Sequence, residues 1–261
     1  MPGDLAARLL PGIAVLLLTS CGSREKRWPF PRVEARDDAA ILATIADRTS
    51  GIDTLYAELT MSFETRERSA VLTSVVNYRA PDVIRMSAFK DILIVSRSLF
   101  DFLIVGGRFV ALIEGEKGPE RREGSLEDLE RIHPGFRAMG ALREAMFLPG
   151  RMPAGAAARI ERSPGRITLH TTTPSGHPVS WRLDPDTLGV LEGEVSFGGA
   201  GPPATVVYDS YRPAGRAFVP ERFRLDDPGA GVVLEGLLED LEVNPELDPA
   251  LFDPANLDPA S

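Results

Sequence analysis

From Leu55 onward the apolar residues fall on every second position. Leu55, Ala57, Leu59, Met61 and Phe63 alternate with Tyr56, Glu58, Thr60, Ser62 and Glu64. A period of two puts each set on its own side of an extended chain, so the stretch predicts a strand with one apolar face. The pattern recurs. Residues 70–78 place Leu72, Val76 and Tyr78 opposite Thr73 and Asn77, and residues 83–89 place Ile84, Met86 and Ala88 opposite Arg85 and Ser87. Ala80-Pro81-Asp82 turns the chain between them. Residues 100–105 and 108–114 flank Gly106-Gly107, a two-residue hairpin signal, and 92–95 is a short further candidate. Later strands are expected at 158–162, 166–172, 179–184, 190–197, 205–211, 218–225 and 232–243. A run of about ten antiparallel strands with one apolar face must curl, because a flat sheet of that size would leave the face wet.

Helical spacing occurs in few places. Residues 37–48 carry a stripe of Ile41, Leu42 and Ile45, with Asp37 and Asp38 at the end where the helix dipole favours acid. Residues 115–124 read as a polar, glycine-containing loop. Residues 125–131 and 134–147 read as helices, and in the second Phe136, Met139, Leu142 and Met146 form an apolar stripe. Leu148-Pro149-Gly150 ends it. These helices are the expected cover for the concave side of the sheet. The fold class is therefore α+β, mostly β: a curved, antiparallel, unclosed half-barrel of about ten strands with helices over its concave face. The tail, 244–261, repeats Asp-Pro and reads as turns or extended chain, with Leu251 and Phe252 apolar enough to dock.

The N-terminus carries a different signal. Residues 9–18 are apolar except for Pro11 and Gly12. That run is too short to cross a bilayer, which takes about 20 apolar residues, and has the length of a secretion-signal core, about 7–15 residues. Arg8 precedes it, offset by Asp4. The run ends in LLLTSC at 16–21, and Cys21 is the one cysteine of the 261 residues. Leu18-Thr19-Ser20-Cys21 resembles the bacterial lipobox. That resemblance implies a diacylglyceryl group on the Cys21 thiol and cleavage before it. A lone cysteine in an exported protein cannot form an internal disulfide, and lipid attachment gives it a purpose. The expected boundaries are a lipoprotein signal peptide at 1–20 and a charged, proline-containing tether at 21–36. With two or more chains on the cysteine, anchoring would be stable. The net charge of −9 without a basic run argues against nucleic acid and against a charge grip on anionic headgroups.

Several strings along 37–261 resemble the LolA/LolB-like lipoprotein-carrier superfamily, including its uncharacterised lipoprotein branch. Tyr78-Arg79-Ala80-Pro81-Asp82-Val83-Ile84-Arg85-Met86 is similar to that family's Tyr-Arg-x-Pro-Asp segment. Leu99-Phe100-Asp101-Phe102 with Gly106-Gly107-Arg108-Phe109 resembles its strand and hairpin, with Gly106 where Asp is common. Tyr208-Asp209-Ser210-Tyr211 with Val219-Pro220 resembles its aromatic strand pair. Leu241-Glu242-Val243-Asn244-Pro245 with Leu251-Phe252 resembles its terminal strand and apolar anchor. The resemblance implies a lipid-binding domain at 37–261 that encloses an apolar cavity. It also implies carriage or receipt of the acyl chains of a lipid or lipoprotein in the bacterial envelope. Gly22 lacks the Asp that retains lipoproteins at the inner membrane of enteric bacteria, so an outer-membrane position facing the periplasm is expected. Partners would be the membrane, through the N-terminal lipid, the carried acyl chains and an envelope protein.

Candidate lining residues of the cavity are Leu59, Met61, Phe63, Leu72, Ile84 and Met86 from the strands, and Phe136, Met139, Leu142 and Met146 from the helix. All are also ordinary core positions. Methionine lets an apolar site accept variable shapes. Signals for catalysis are missing. His133, His170 and His177 have no metal-ligand spacing, and no GxSxG or Gly-rich phosphate loop occurs. Glu192 and Glu194 share a strand face and read as solvated charge, as do Glu239, Asp240 and Glu242. No catalytic residue, metal or cofactor is expected. Two function classes remain: a tethered lipid or lipoprotein carrier or receptor, and a structural or interaction lipoprotein whose core is filled by side chains.

Overall fold

The computed structural model describes residues 29–34, 37–49, 51–66, 69–92, 95–115, 118–125, 128, 140, 143, 156–173, 176–197, 201–215 and 217–257; in 90–92 and 95–97 only the backbone is described. One helix, α1 (Asp38–Thr49), precedes thirteen strands. They are β1 (Thr54–Thr65), β2 (Ser69–Arg79), β3 (Val83–Ile92), β4 (Val95–Val105), β5 (Arg108–Gly115), β6 (Gly118–Ser125), β7 (Arg159–Ser163), β8 (Arg166–Thr172), β9 (Pro178–Leu183), β10 (Val190–Val195), β11 (Ala204–Ala214), β12 (Ala217–Asp227) and β13 (Val232–Val243). All lie in one open antiparallel sheet, ordered β6-β5-β4-β3-β2-β1-β13-β12-β11-β10-β9-β8-β7. The chain runs outward from β1 to one edge at β6, re-enters at the other edge at β7, and works back to β13. Each strand neighbours its successor in sequence except β6, whose successor β7 lies at the other edge, and the one neighbouring pair that is not consecutive is β1 with β13.

The expected ten strands are thirteen, and the differences have physical causes. The expected loop at 115–124 is mostly β6, paired with β5 from Gly118 to Ser125. Its sequence, GPERREGS, has no apolar alternation because an edge strand is held by its main chain and gains from charge that discourages further pairing. The candidates at 92–95 and 100–105 belong to the end of β3 and to a single long β4. The remaining strands match their expected positions within a few residues. The expected helices at 125–131 and 134–147 fall largely outside the described residues.

The principal core covers one face, here called the core face. β1 alternates strictly, with Leu55, Ala57, Leu59 and Met61 buried. At the joint with β13, Leu59 faces Leu238, Met61 faces Gly236 and Phe63 faces Leu234. Gly236 makes room for an aromatic ring: a Cβ there would lie 2.2 Å from Cζ of Phe223 in β12. The joint is capped by Asn244, whose φ of 56° is one that asparagine tolerates better than most residues. Its Oδ1 accepts from the amides of Asp53 (2.8 Å) and Thr54 (3.2 Å), and its Nδ2 donates to the Gly51 carbonyl (2.7 Å). The Asn244 amide donates to the Thr54 carbonyl at 2.8 Å.

On the opposite face, Val83, Leu103 and Val110 would be wet without cover. The tail supplies it: Phe252 and Leu257 are buried against them, with Leu247 and Leu251 alongside. Arginines fasten it. Arg79 lies over the Phe252 ring at 4.5 Å. Arg85 pairs in bidentate fashion with Asp101 and donates to the Leu251 carbonyl (3.1 Å), and Arg121 of β6 donates to the carbonyls of Pro254 and Leu257. The docking expected of Leu251 and Phe252 is present.

Asn244→Ala should cost about 2–3 kcal/mol, from three lost hydrogen bonds at about 0.5 kcal/mol each in exposed settings and about 1 kcal/mol for a left-handed alanine. Asn244→Gly should recover the backbone part, about 1 kcal/mol. Urea denaturation of the three proteins checks this; equal stability of wild type and Asn244→Ala would show that the cap contributes nothing.

Candidate functional site

The strand residues singled out from the sequence form one patch. Leu59, Met61, Ile84 and Met86 are buried in the principal core, and Phe63 and Leu72 are half-buried at its margin. Pairing brings Met61 beside Leu72, and Tyr78 and Val76 beside Ile84 and Met86. Phe136, Met139, Leu142 and Met146 lie outside the described residues, as does Cys21 with the whole of 1–28.

The patch continues where the sequence did not single out residues. Phe102 and Ile104 of β4 sit beside Met86 and Ile84, and Ala111 and Phe109 of β5 sit beside them in turn. These four are buried as a cluster of their own, with the Phe102 and Phe109 rings stacked at 6.0 Å. The signal was hidden because 100–105 is apolar on both faces: Leu103 serves the tail and its neighbours serve the core face. In the other half of the sheet Trp181, Leu169, Tyr208 and Phe223 carry the core face onward. Trp181 lies over Gly193, where a Cβ would be 2.3 Å from the indole.

Polar atoms without partners are set into this apolar surface. Ser74 Oγ, Thr171 Oγ1 and Trp181 Nε1 are buried with no hydrogen-bond partner among the described residues. Thr171 and Trp181 are diagonal neighbours on adjacent strands, Leu169 facing Trp181 and Thr171 facing Val179. Buried polar groups are nearly always paired, so such atoms mark places where water or a ligand's polar atom completes the site.

A further such place is an aromatic socket at the end of α1. Ile41 and Ile45 of α1 are buried in the principal core, and Asp38 at its start pairs with Arg162 of β7 at 2.7 Å. Into the far end comes Phe30, from the segment the sequence reads as a tether. Its ring is buried, 4.8 Å from Tyr211 and 4.5 Å from Phe218, while Val33 donates its amide to the Asp186 carbonyl at 2.9 Å. Gly189 lies under the ring, where a Cβ would come within 2.5 Å. Tyr211 donates its hydroxyl to the Val190 carbonyl at 2.7 Å. Beside Phe30 stands Arg48, its guanidinium 4.7 Å from the Phe30 ring centre and 5.7 Å from that of Phe218. Both terminal nitrogens of Arg48 are buried and without a hydrogen-bond partner among the described residues. Burial pushes its pKa down, against the pull of Asp47 and Tyr211, and pushes the hydroxyls of Tyr208 and Tyr211 well up. A cavity of about 20 Å³ adjoins the socket.

Away from the tail, the opposite face carries polar side chains. His170 Nδ1 lies 2.9 Å from Ser180 Oγ and its Nε2 3.3 Å from Glu161. The order is that of a nucleophile, base and acid, but Ser180 lies on an extended strand flanked by β8 and β10. Its main-chain N–H groups serve those ladders, so they do not form an oxyanion site. Glu192 pairs with Arg182, Glu194 is exposed, and Glu239 accepts from Thr60 Oγ1 at 3.1 Å. Among the described residues no group of three or more His, Cys, Asp or Glu could hold a metal, and no helix is long and apolar enough to cross a membrane.

No family model and no curated protein matches the sequence. Solved structures do match the fold. A LolA superfamily protein from Nitrosomonas europaea has a TM-score of 0.58 at 12% identity, covering 85% of this chain and 100% of that one. A DUF1329 family protein from Desulfovibrio piger has 0.57 at 13%, covering 84% and 98%. A domain from Vibrio parahaemolyticus assigned to outer membrane lipoprotein sorting has 0.57 at 13%, covering 83% and 96%. At these identities the likeness concerns the fold, and it shows that this chain has a LolA/LolB-like fold.

Proposed function

We propose that the protein is a lipid-anchored envelope lipoprotein that holds acyl chains of a lipid or lipoprotein on its core face, as a carrier or receptor. The observation that carries this reading is the continuous apolar face of an open sheet, running from β5 to β8, with unpartnered polar atoms set into it. Two further points support it. Fold neighbours include a LolA superfamily protein and a domain assigned to lipoprotein sorting. The sequence between β6 and β7 carries the apolar stripe of Phe136, Met139, Leu142 and Met146, four of the candidate lining residues. Each buried methylene of an acyl chain would contribute about 0.8 kcal/mol before ordering costs. Lipidation at Cys21 would tether the protein to the outer membrane, facing the periplasm. The second reading, a structural lipoprotein with a filled core, is favoured by the near-complete burial of Leu59, Met61 and Trp181.

Fluorescent fatty-acyl titration of residues 29–261 tests the reading; the fragment keeps Phe30, which is part of the core. Saturable binding is expected, and its absence in a domain folded by circular dichroism would favour the filled core. Met61→Asp should unfold the domain or abolish that binding, because a lone charge would face apolar neighbours, at a cost of about 3–5 kcal/mol. Ser62→Asp, exposed on the other face, should cost less than about 1 kcal/mol. Thermal melts of both variants check the contrast. Cys21→Ser should leave the protein uncut or soluble; a mutant that still loses residues 1–20 and partitions into detergent would remove the anchor from the proposal.

A further inference from the structure

Arg48 stands three positions after Ile45 on α1, on the side of the helix that meets the core. An arginine there has two ordinary choices: reach past the apolar surface to water, or find a carboxylate. It does neither. Both terminal nitrogens are sealed from solvent and unpartnered among the described residues, and the surrounding groups are Phe30, Ile45, Leu188, Val190, Tyr211 and Phe218. The Tyr211 hydroxyl donates to a carbonyl. Asp47, the adjacent acid, is on the exposed side of the helix. Two aromatic faces offset the desolvation only in part. A guanidinium keeps its charge in such a place, and its planar fork is shaped for the two oxygens of a carboxylate or phosphate.

The position of this cation gives the missing partner its chemistry. It stands where the apolar core face of β10–β12 ends, so the anion would carry an apolar chain along that face. The existing cavity of about 20 Å³ has room for about one water and none for a head group. What fills the remaining space is the Phe30 ring, which arrives on an extended segment outside helix and sheet and is seated on Gly189. We propose that Arg48 is the head-group residue of the acyl site. The site takes an anionic amphiphile, whose carboxylate or phosphate pairs with the guanidinium as its head displaces Phe30. This inference rests on the acyl-binding reading and narrows it from any acyl chain to one with an acidic head.

The test compares cis-parinaric acid with its methyl ester, and dioleoyl phosphatidic acid with dioleoylglycerol, on the delipidated full chain and on Arg48→Met and Phe30→Ala. The acidic member of each pair should bind at least tenfold more tightly than the neutral one. Arg48→Met should abolish that difference without weakening the ester, and Phe30→Ala should tighten the acid severalfold. A preference in only one pair assigns the site to that head, carboxylate or phosphate. Equal binding of acid and ester by the wild type, or a preference that survives in Arg48→Met, overturns the head-group role while leaving acyl binding intact. Binding of none of the four overturns the acyl reading and this inference with it. Arg48→Met should also raise the Tm of the empty protein by about 2–4 °C, as removal of an unpaired buried cation would. Inorganic phosphate is the last arm. Phosphate alone stabilising the wild type as strongly as phosphatidic acid does, and not Arg48→Met, would show a free-anion site and overturn the amphiphile.

Discussion

Everything in this sheet hangs from the ladder between β1 and β13. On either side of it the strands are joined to their sequence neighbours by hairpins, which form with little loss of chain entropy. The β1–β13 joint pairs segments about as far apart as the described chain allows, Thr54 bonding to Pro245 across 191 positions. Closing so long a loop is entropically costly and slow, and the contacts made there must exceed that cost. The joint is accordingly dense: alternating Leu59, Met61 and Phe63 against Leu238, Gly236 and Leu234, the Phe223 ring over the glycine, and Asn244 closing the end. Without it the molecule would be two meanders, each with one apolar face exposed. With it the two faces become one surface, wide enough to serve as core and, in the reading proposed, as a binding surface.

The sequence made the interior strands legible because burial on one face imposes a period of two. It failed where that constraint is absent. β6 is an edge strand whose main chain does the pairing, so Pro119, Glu120, Arg121, Arg122 and Glu123 leave no trace of alternation. β4 is buried on both sides for part of its length, since Leu103 meets the tail while Phe102 and Ile104 meet the core face. A strand of that kind shows a continuous apolar run, and the run does not say which residue belongs to which layer. The tail was legible through Leu251 and Phe252, but the three arginines that fasten it were not. Arg79 and Arg85 alternate on β2 and β3 like any polar residue, and only pairing reveals that they converge on one segment.

The socket around Phe30 and Arg48 was less legible still. Trp28-Pro29-Phe30-Pro31 has the composition of a linker, and proline is equally compatible with an extended segment docked on a surface. Arg48 continues the stripe of Ile41 and Ile45 by spacing, yet a long cation on an apolar stripe usually reaches to water. Whether it does depends on what closes over it, and that is Phe30, which needs the bare backbone of Gly189 beneath it. A residue from the supposed tether, one from the helix and one from the β9–β10 turn thus define one feature, and no local pattern in the chain links them.

The sheet remains open because its two edges are unfit for each other. β6 has eight residues and β7 five. Both are exposed along most of their length and carry charges paired within the strand, Arg122 with Glu120 and Arg159 with Glu161. Two arginines on these edges are also engaged elsewhere: Arg121 holds the tail and Arg162 holds Asp38 of α1. A β6–β7 ladder would have to match unequal strands and accommodate Pro119, which has no N–H to give. Interior strands therefore build a continuous apolar face, while edge strands keep it from closing into a barrel that its own side chains would fill. An apolar surface kept open in this way needs a cover that is not part of the sheet. α1 and Phe30 supply it beside β12, and in the reading proposed an acyl chain shares that role.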